Sequence, residues 1–406
     1  MKPLTEARRE VLASLTPMES ERVSVDQARG RVTAEDVVSS VAVPPFDNSA
    51  MDGFAVRGVD VETAGRTLSV IEDVPAGSVA TLEVSDGEAI RIMTGAPMPK
   101  GADTVVKVED TAVEGNTVEI GAATPAGTSV RPSGGDVEIG DVVVSSGVRL
   151  TSRHIASLAS IGVTPLVARV PRVVVMSTGD EVFPPETTEL QPGAIRDTNR
   201  PLLVSLLSDI GIDAVDLGIV GDDVDELRQA YTDAAATADL VVSTGGVSMG
   251  DYDFVKTVLG ESGEMQFWKV AMQPAKPFAF GTFNDVPLLG LPGNPVSTYV
   301  AFEQFVRPAL LHMMGATALL RPRVGGVMGE DISTSAEKEV FVRVLLADDD
   351  GRHVAVRSGG QQSNVLSALA EADAFAVVPV GTGSLSAGDA VTLEMFTWPE
   401  ARGIDE

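Results

Sequence analysis

The sequence predicts a multi-domain α/β protein. It has a central parallel α/β three-layer domain, a β-rich second domain, a discontinuous α+β N-terminal domain and a C-terminal β-barrel-like domain. Three observations carry this prediction. Between residues 171 and 315, strand, glycine loop and helix alternate, which implies a parallel sheet with helices on both faces. From residue 41 to about residue 150, short apolar runs are bounded by glycines, with helical spacing on either side. After Pro322 the chain returns to short β-type runs.

Taken in order, Leu4, Ala7, Val11 and Leu15 have helical spacing, and residues 25–30 read as a second short helix. Residues 43–57 open with prolines that exclude a helix and close in an alternating strand. Strands are expected at 68–70, 89–93, 104–108 and 142–144. Thr151 or Ser152 caps a helix that ends near Gly162. Helices thus flank the β-rich block, so the first and last parts of this region are expected to pack as one discontinuous domain.

Residues 173–176 form a strand running into Ser177-Thr178-Gly179-Asp180-Glu181. Asn199 and Pro201 start a helix carrying Leu202, Leu203, Leu206, Leu207 and Ile210, and Gly211 stops it. Strand 214–217, helix 224–236 and strand 240–242 follow. Strand 288–291 then enters Pro292-Gly293-Asn294-Pro295, which opens a long helix to residue 313. Strands at 340–346 and 353–357 flank a turn at 347–351 as a hairpin, and 374–380 and 390–396 complete a small β domain.

The chain has 406 residues, enough for roughly two to four domains, and a formal net charge of -28 from 30 basic and 58 acidic side chains. Such a field repels nucleic acid and anionic membranes. The acids are spread along the chain and only seven residues are lysine; the composition resembles that of a salt-loving microbe's cytoplasmic protein, or an ordinary acidic protein. With no cysteine, thiolate chemistry and disulfides are excluded. His154, His312 and His353 lack ligand spacing, which argues against a zinc site. The first ten residues are charged and no apolar run reaches 18 residues, so a soluble, cytoplasmic protein is expected.

In an open sheet of this kind, ligands lie outside the carboxyl ends of the strands. The glycine loops at 177–181, 243–250 and 290–295 would then share one edge. Gly245 and Gly246 allow close backbone approach, Ser248 offers a hydroxyl, and Asp251 and Asp253 offer carboxylates, a mixture suited to a phosphate-bearing, metal-chelated ligand. The alternative reading is a strand followed by a tight turn with solvated acids.

Seven motifs in order resemble one family. They are Asn48-Ser-Ala-Met-Asp-Gly-Phe-Ala-Val-Arg57, Arg91-Ile-Met-Thr-Gly-Ala-Pro97 with Gly101-Ala-Asp103, Ser177-Thr-Gly-Asp-Glu181, Asp197-Thr-Asn-Arg200, Gly245-Gly-Val-Ser-Met-Gly250 with Asp253, Lys276-Pro-Phe278 and Gly290-Leu-Pro-Gly-Asn-Pro295. Together they resemble the molybdopterin molybdenumtransferases, whose animal relative is the E domain of gephyrin. The resemblance implies an elongated four-domain subunit in a homodimer, with borders at 1–42 plus 137–167, 43–136, 168–316 and 317–406. It implies a Mg²⁺-dependent reaction in which molybdate and adenylylated molybdopterin yield molybdenum cofactor and AMP. It also implies an upstream molybdopterin adenylyltransferase and apo molybdoenzymes as partners.

For the site, the resemblance implies Asp222, Asp253 and Glu181 around Mg²⁺ and the pyrophosphate, with Asp52, Thr94 and Asp136 supplied by the second domain of the partner subunit. Ser177, Thr178, Gly245, Gly246, Ser248, Lys269, Lys276, Pro292, Gly293 and Asn294 would bind the substrate. Lys276, Arg343 and Ser363, with Ser248, would take molybdate. Arg343 has an alternative reading as an outward-facing strand arginine. Two positions depart from the pattern: Gly135 stands where the family usually has glutamate, and Gln273 where some relatives have lysine, leaving one cation short. Trp268 and Phe267 read as strand residues beside a core rather than a pterin-stacking pair. A nucleotide pyrophosphatase, a molybdopterin-binding module and a non-catalytic scaffold are the competing readings.

Overall fold

The computed structural model describes residues 1–246, 257, 258, 260 and 265–396. The central sheet has six strands in the order Val215–Val220, Val173–Thr178, Leu240–Thr244, Val286–Leu291, Pro277–Phe283 and Gln266–Lys269. The first four run parallel, as the alternation predicts. The last two add antiparallel, so the sheet is mixed. The short turn at Asn284 and Asp285, both at positive φ, joins Pro277–Phe283 to Val286–Leu291 without a crossover helix, and such a hairpin can only be antiparallel.

Successive residues of these strands face opposite layers. Val173, Val175, Leu240, Val242, Leu289 and Leu291 pack with Leu203, Leu207, Phe302 and Phe305 on one side. Val174, Met176, Val241 and Leu288 pack with Leu227, Tyr231 and Ala234 of helix Val224–Ala235 on the other. That helix is capped by the Asp223 carboxylate, which accepts from the backbone of Asp225 and Glu226.

The expected long helix after Pro295 is interrupted. Helical segments Pro295–Ala301 and Arg307–Met313 flank a π-helical turn at Phe302–Val306. Pro308 lacks the N–H that would reach the Gln304 carbonyl in a regular helix. That carbonyl instead accepts from Arg8 Nε at 3.0 Å. Helix Leu4–Ala13 accordingly buries Leu4, Ala7 and Val11 in the core of the central domain.

Two N-terminal segments pair across the β-rich block: Ser20–Arg22 with Leu166–Ala168, and Val37–Val38 with Val142–Val144. They enclose Ala28, Val37, Val144, Leu150, Leu158, Ile161 and Val167. Helix Ser152–Ser160 begins with a capping box between Thr151 and His154. The expected helix at 25–30 is only a 3₁₀ turn, Val25–Gln27, because the chain must turn again for Gly30 and Val32 to reach Leu150 and Arg149.

The β-rich domain is a six-stranded sheet in the order Thr104–Lys107, Gly53–Val56, Glu88–Ile92, Thr67–Val74, Thr117–Ile120 and Thr111–Glu114. Gly53–Val56 does not alternate in exposure, since all four residues are buried. Phe54 and Val56 enter one core and Ala55 another, so both faces of the strand are covered.

At the C-terminus, Glu339–Asp349, Arg352–Arg357, Arg323–Met328, Ala390–Met395 and Ala374–Val378 close on themselves as a five-stranded barrel. The predicted hairpin turns at Asp350 and Gly351, both at positive φ, as a two-residue connection requires. Met272–Gln273, from the central domain, adds to the barrel in parallel, with Gln273 opposite Val340.

Candidate active site

Two cavities lie where the carboxyl ends of the central strands meet the barrel. The larger, about 310 Å³, is lined among others by Ser177, Thr178, Glu181, Arg196, Asp197, Asn199, Thr244, Gly245, Gly293, Asn294 and Pro295, with Asn364 and Leu366 from the barrel. Its floor is a polar lattice. Asn199 Nδ2 donates to Thr244 Oγ1 at 2.9 Å and to the Gly293 carbonyl at 2.7 Å. Ser177 Oγ donates to Asp197 Oδ1 at 3.0 Å, and Arg200 Nε to Asp197 Oδ2 at 2.9 Å. These bonds satisfy buried groups that would otherwise cost about 1–3 kcal/mol each. They also lock the three loops to one another. At Gly245, φ is +96° and a Cβ would lie 2.5 Å from the Thr178 carbonyl oxygen, so the loop closes only with glycine.

Acids border this cavity. Glu181 lines it. Next to it, the Asp222 N–H donates to Asp180 Oδ1 at 2.9 Å, which joins the ends of the adjacent strands Val173–Thr178 and Val215–Val220. Among the described residues no three acidic or histidine side chains form a group that holds a metal. Ser248, Asp251 and Asp253 lie outside the described residues.

The second cavity, about 270 Å³, is lined by Gln273, Lys276, Pro292, Asn294, Ser297, Lys338, Gln361, Gln362 and Ser363, among others. No carboxylate appears among its described lining residues, in a chain with 58 acids and 30 bases. Asn294 lines both cavities and makes no helix-capping bond. The Ser363 carbonyl accepts from the Val296 N–H at 3.1 Å, tying the barrel loop to the central domain.

Arg343 stands behind that loop. It is 1% exposed, which overturns the outward-facing reading: its strand lies in the barrel wall, where the central domain covers the outer face. Its backbone N–H donates to Gln361 Oε1 and its Nη2 to the Gly360 carbonyl. Among the described residues its Nε and Nη1 have no partner, and burial lowers its pKa from the usual arginine value. A buried cation lacking a carboxylate is a costly arrangement unless an anion completes it.

Comparison with known proteins agrees with this geometry. Residues 2–162 match the MoeA N-terminal region (domain I and II), 174–312 the probable molybdopterin binding domain, and 326–396 the MoeA C-terminal region (domain IV). The chain is 37% identical to molybdopterin molybdenumtransferase of Haemophilus influenzae, covering 98% of this chain and 99% of the relative. It is 34% identical to that of Bacillus subtilis, covering 96% and 93%. The chain belongs to the molybdopterin molybdenumtransferase family. Among solved structures, the molybdopterin biosynthesis moeA protein of Pyrococcus horikoshii OT3 superposes with a TM-score of 0.81 at 29% identity, covering 98% and 100%.

Set beside the family expectations, Ser177, Thr178, Glu181, Gly245, Gly293 and Asn294 meet in the first cavity, with Gly246 following Gly245 in the same loop. Lys276, Pro292 and Ser363 meet in the second. Lys269 lines neither, and is exposed at the end of the edge strand. Trp268 packs on Phe278 and Phe280, with ring centroids 6.1 and 5.9 Å away, as a strand residue beside a core does. Asp52, Thr94 and Asp136 sit in the β-rich part of the chain and line neither cavity. Asp52 Oδ1 accepts from both the N–H and the hydroxyl of Thr94 at 2.7 Å, and these bonds lower its pKa. Sequence reasoning missed Lys338, Gln361, Gln362 and Asn364, although the polar run 359–364 between barrel elements is a visible signal.

Proposed function

We propose that this chain transfers molybdenum from molybdate into an adenylylated molybdopterin, releasing AMP and forming molybdenum cofactor. Family membership makes it a transferase of molybdenum cofactor biosynthesis. The observation that carries the finer reading is the cavity holding Lys276 and Lys338, with no carboxylate among its described lining residues, which meets the strand-end cavity at Asn294. At physiological salt the Debye length is about 8 Å, so the distant acids are screened and the local cations decide whether a dianion enters. Each unit charge pair at 4 Å is worth about 4 kcal/mol in a surface-like dielectric before desolvation. Lys276, Ser363 and Arg343 would take molybdate, and Ser177, Thr178, Gly245, Gly246, Pro292, Gly293 and Asn294 would hold the pterin phosphate side.

At the other end Glu181 and Asp222 follow adjacent strands, and together with Asp253 they would offer the carboxylate oxygens that a hard cation takes. Held there, Mg²⁺ would supply charge neutralisation and orientation for the phosphoanhydride. The acids of the β-rich domain, Asp52 with Thr94 and Asp136, would reach the site from a second copy, which makes the working unit a homodimer. Such an enzyme would receive its substrate from an adenylyltransferase and pass its product to apo molybdoenzymes.

The test is AMP release from adenylylated molybdopterin with Mg²⁺, with and without molybdate, while assaying cofactor transfer to an apo molybdoenzyme. Molybdate-dependent active cofactor is expected. AMP without cofactor would instead identify a pyrophosphatase, and neither product from folded protein would favour a binding or scaffold role.

A further inference from the structure

We infer that Lys338 is a further oxyanion-binding cation of the cavity that holds Lys276, and that Gln273 positions it, so that the pair forms one recognition unit across the joint between the α/β domain and the barrel. This rests on the reading of that cavity as the oxyanion site. The joint is made by backbone pairing: Met272–Gln273 runs parallel to the start of Glu339–Asp349, with Met272 opposite Glu339. That register brings Gln273 beside Lys338, 65 residues on, and both line the cavity. Lys338 Nζ donates to Gln273 Oε1 at 3.3 Å.

The chemistry follows from donor counting. An ammonium has three donors and no acceptor, so one bond to Gln273 leaves two for a ligand. With its oxygen held by that ammonium, the Gln273 amide has both N–H groups left to donate. Molybdate at neutral pH only accepts, so both partners present what it needs. The sequence neighbours of Lys338 do not quench it. Among the described residues Lys338 forms no ion pair, while the Glu339 carboxylate lies 3.5 Å from Arg323. A glutamate at 273 would instead pair with Lys338 and remove its charge from the ligand.

The experiment measures binding of sodium molybdate to the full-length protein by calorimetry at fixed ionic strength, alongside steady-state kinetics. Lys338→Gln is expected to weaken molybdate binding about tenfold or more. It should raise KM for molybdate by a similar factor and leave kcat at saturating molybdate largely unchanged. Lys338→Arg should retain most of the affinity. Gln273→Glu should weaken binding at least as much as Lys338→Gln, and the double variant, which leaves the glutamate unpaired beside the oxyanion, should bind molybdate more weakly than either. Wild-type affinity in Lys338→Gln, with the parent binding molybdate normally, would overturn this inference alone. No molybdate binding by the folded parent would overturn the reading of the cavity, and the inference with it.

Discussion

The two cavities share Asn294 yet differ in charge: one has carboxylates in its lining, and the other has none among its described lining residues. The strand-end cavity is lined by Glu181, Asp197 and Arg196, and beside Glu181 in the chain Asp180 accepts from the Asp222 N–H. Its neighbour has Lys276 and Lys338, a buried Arg343 behind its wall, and no carboxylate among its described lining residues. The difference shows how a chain of net charge -28 can gather an anion: screening makes the global field weak, and a few cations kept clear of acids outweigh it locally. The acidic side suits a cation-chelated phosphate, and the basic side suits a free oxyanion.

The largest expected effect breaks the acidic half alone. Glu181→Gln or Asp222→Asn should lower turnover on the order of 10²-fold if these carboxylates hold the metal. Molybdate affinity, measured calorimetrically, should be unchanged. Parallel loss of both would mean that the two cavities are not chemically separate.

On the basic side, Arg343→Met should weaken molybdate binding about tenfold. Its effect on stability has the opposite sign. The lost bond to the Gly360 carbonyl is worth about 1 kcal/mol, whereas the unpaired buried guanidinium carries a desolvation cost of several kcal/mol. The ligand-free variant should therefore melt no lower than the parent. Molybdate at 100 times Kd should stabilise the parent by about 2.7 kcal/mol, and the variant less at that concentration. A lower melting point without molybdate would make Arg343 a structural residue.

Gly245→Ala tests the strand-end half. The positive φ and the 2.5 Å approach to Thr178 both oppose a Cβ, so a loss of more than about 1 kcal/mol in urea unfolding is expected. Turnover should fall while molybdate binding persists, because the distortion lies on the strand-end side.

Much of this arrangement was legible in the sequence because it is local. Glycine loops at strand ends, the Asn199–Pro201 helix start and the hairpin at Asp350 and Gly351 are each written within a few adjacent residues. What was not legible depends on distant register. Lys338 joins the cavity only because Met272–Gln273 pairs with the barrel. The π turn at Phe302–Val306 accompanies the bond from Arg8 to the Gln304 carbonyl, 296 residues away in sequence. The missing cation at Gln273 was visible, but its counterpart 65 residues on was not.

The smallest expected effect asks whether the acidic chemistry extends to the β-rich domain. Asp52 is exposed, and the two bonds from Thr94 favour its charged form, holding its pKa below the usual aspartate value. A depressed carboxylate stabilises the fold above its unfolded pKa, and that contribution is lost as pH falls through the folded value. Thr94→Val removes the hydroxyl donor and keeps the backbone one. The Asp52 pKa, followed by carboxyl NMR, should therefore rise only part of the way toward the ordinary value. At neutral pH the carboxylate stays ionised in both proteins, so stability there should barely change. A fall in turnover at neutral pH in this variant would then come from the lost position of the carboxylate, not its charge, and would place Asp52 with Glu181 and Asp222. Unchanged turnover would leave the acidic half confined to the central domain.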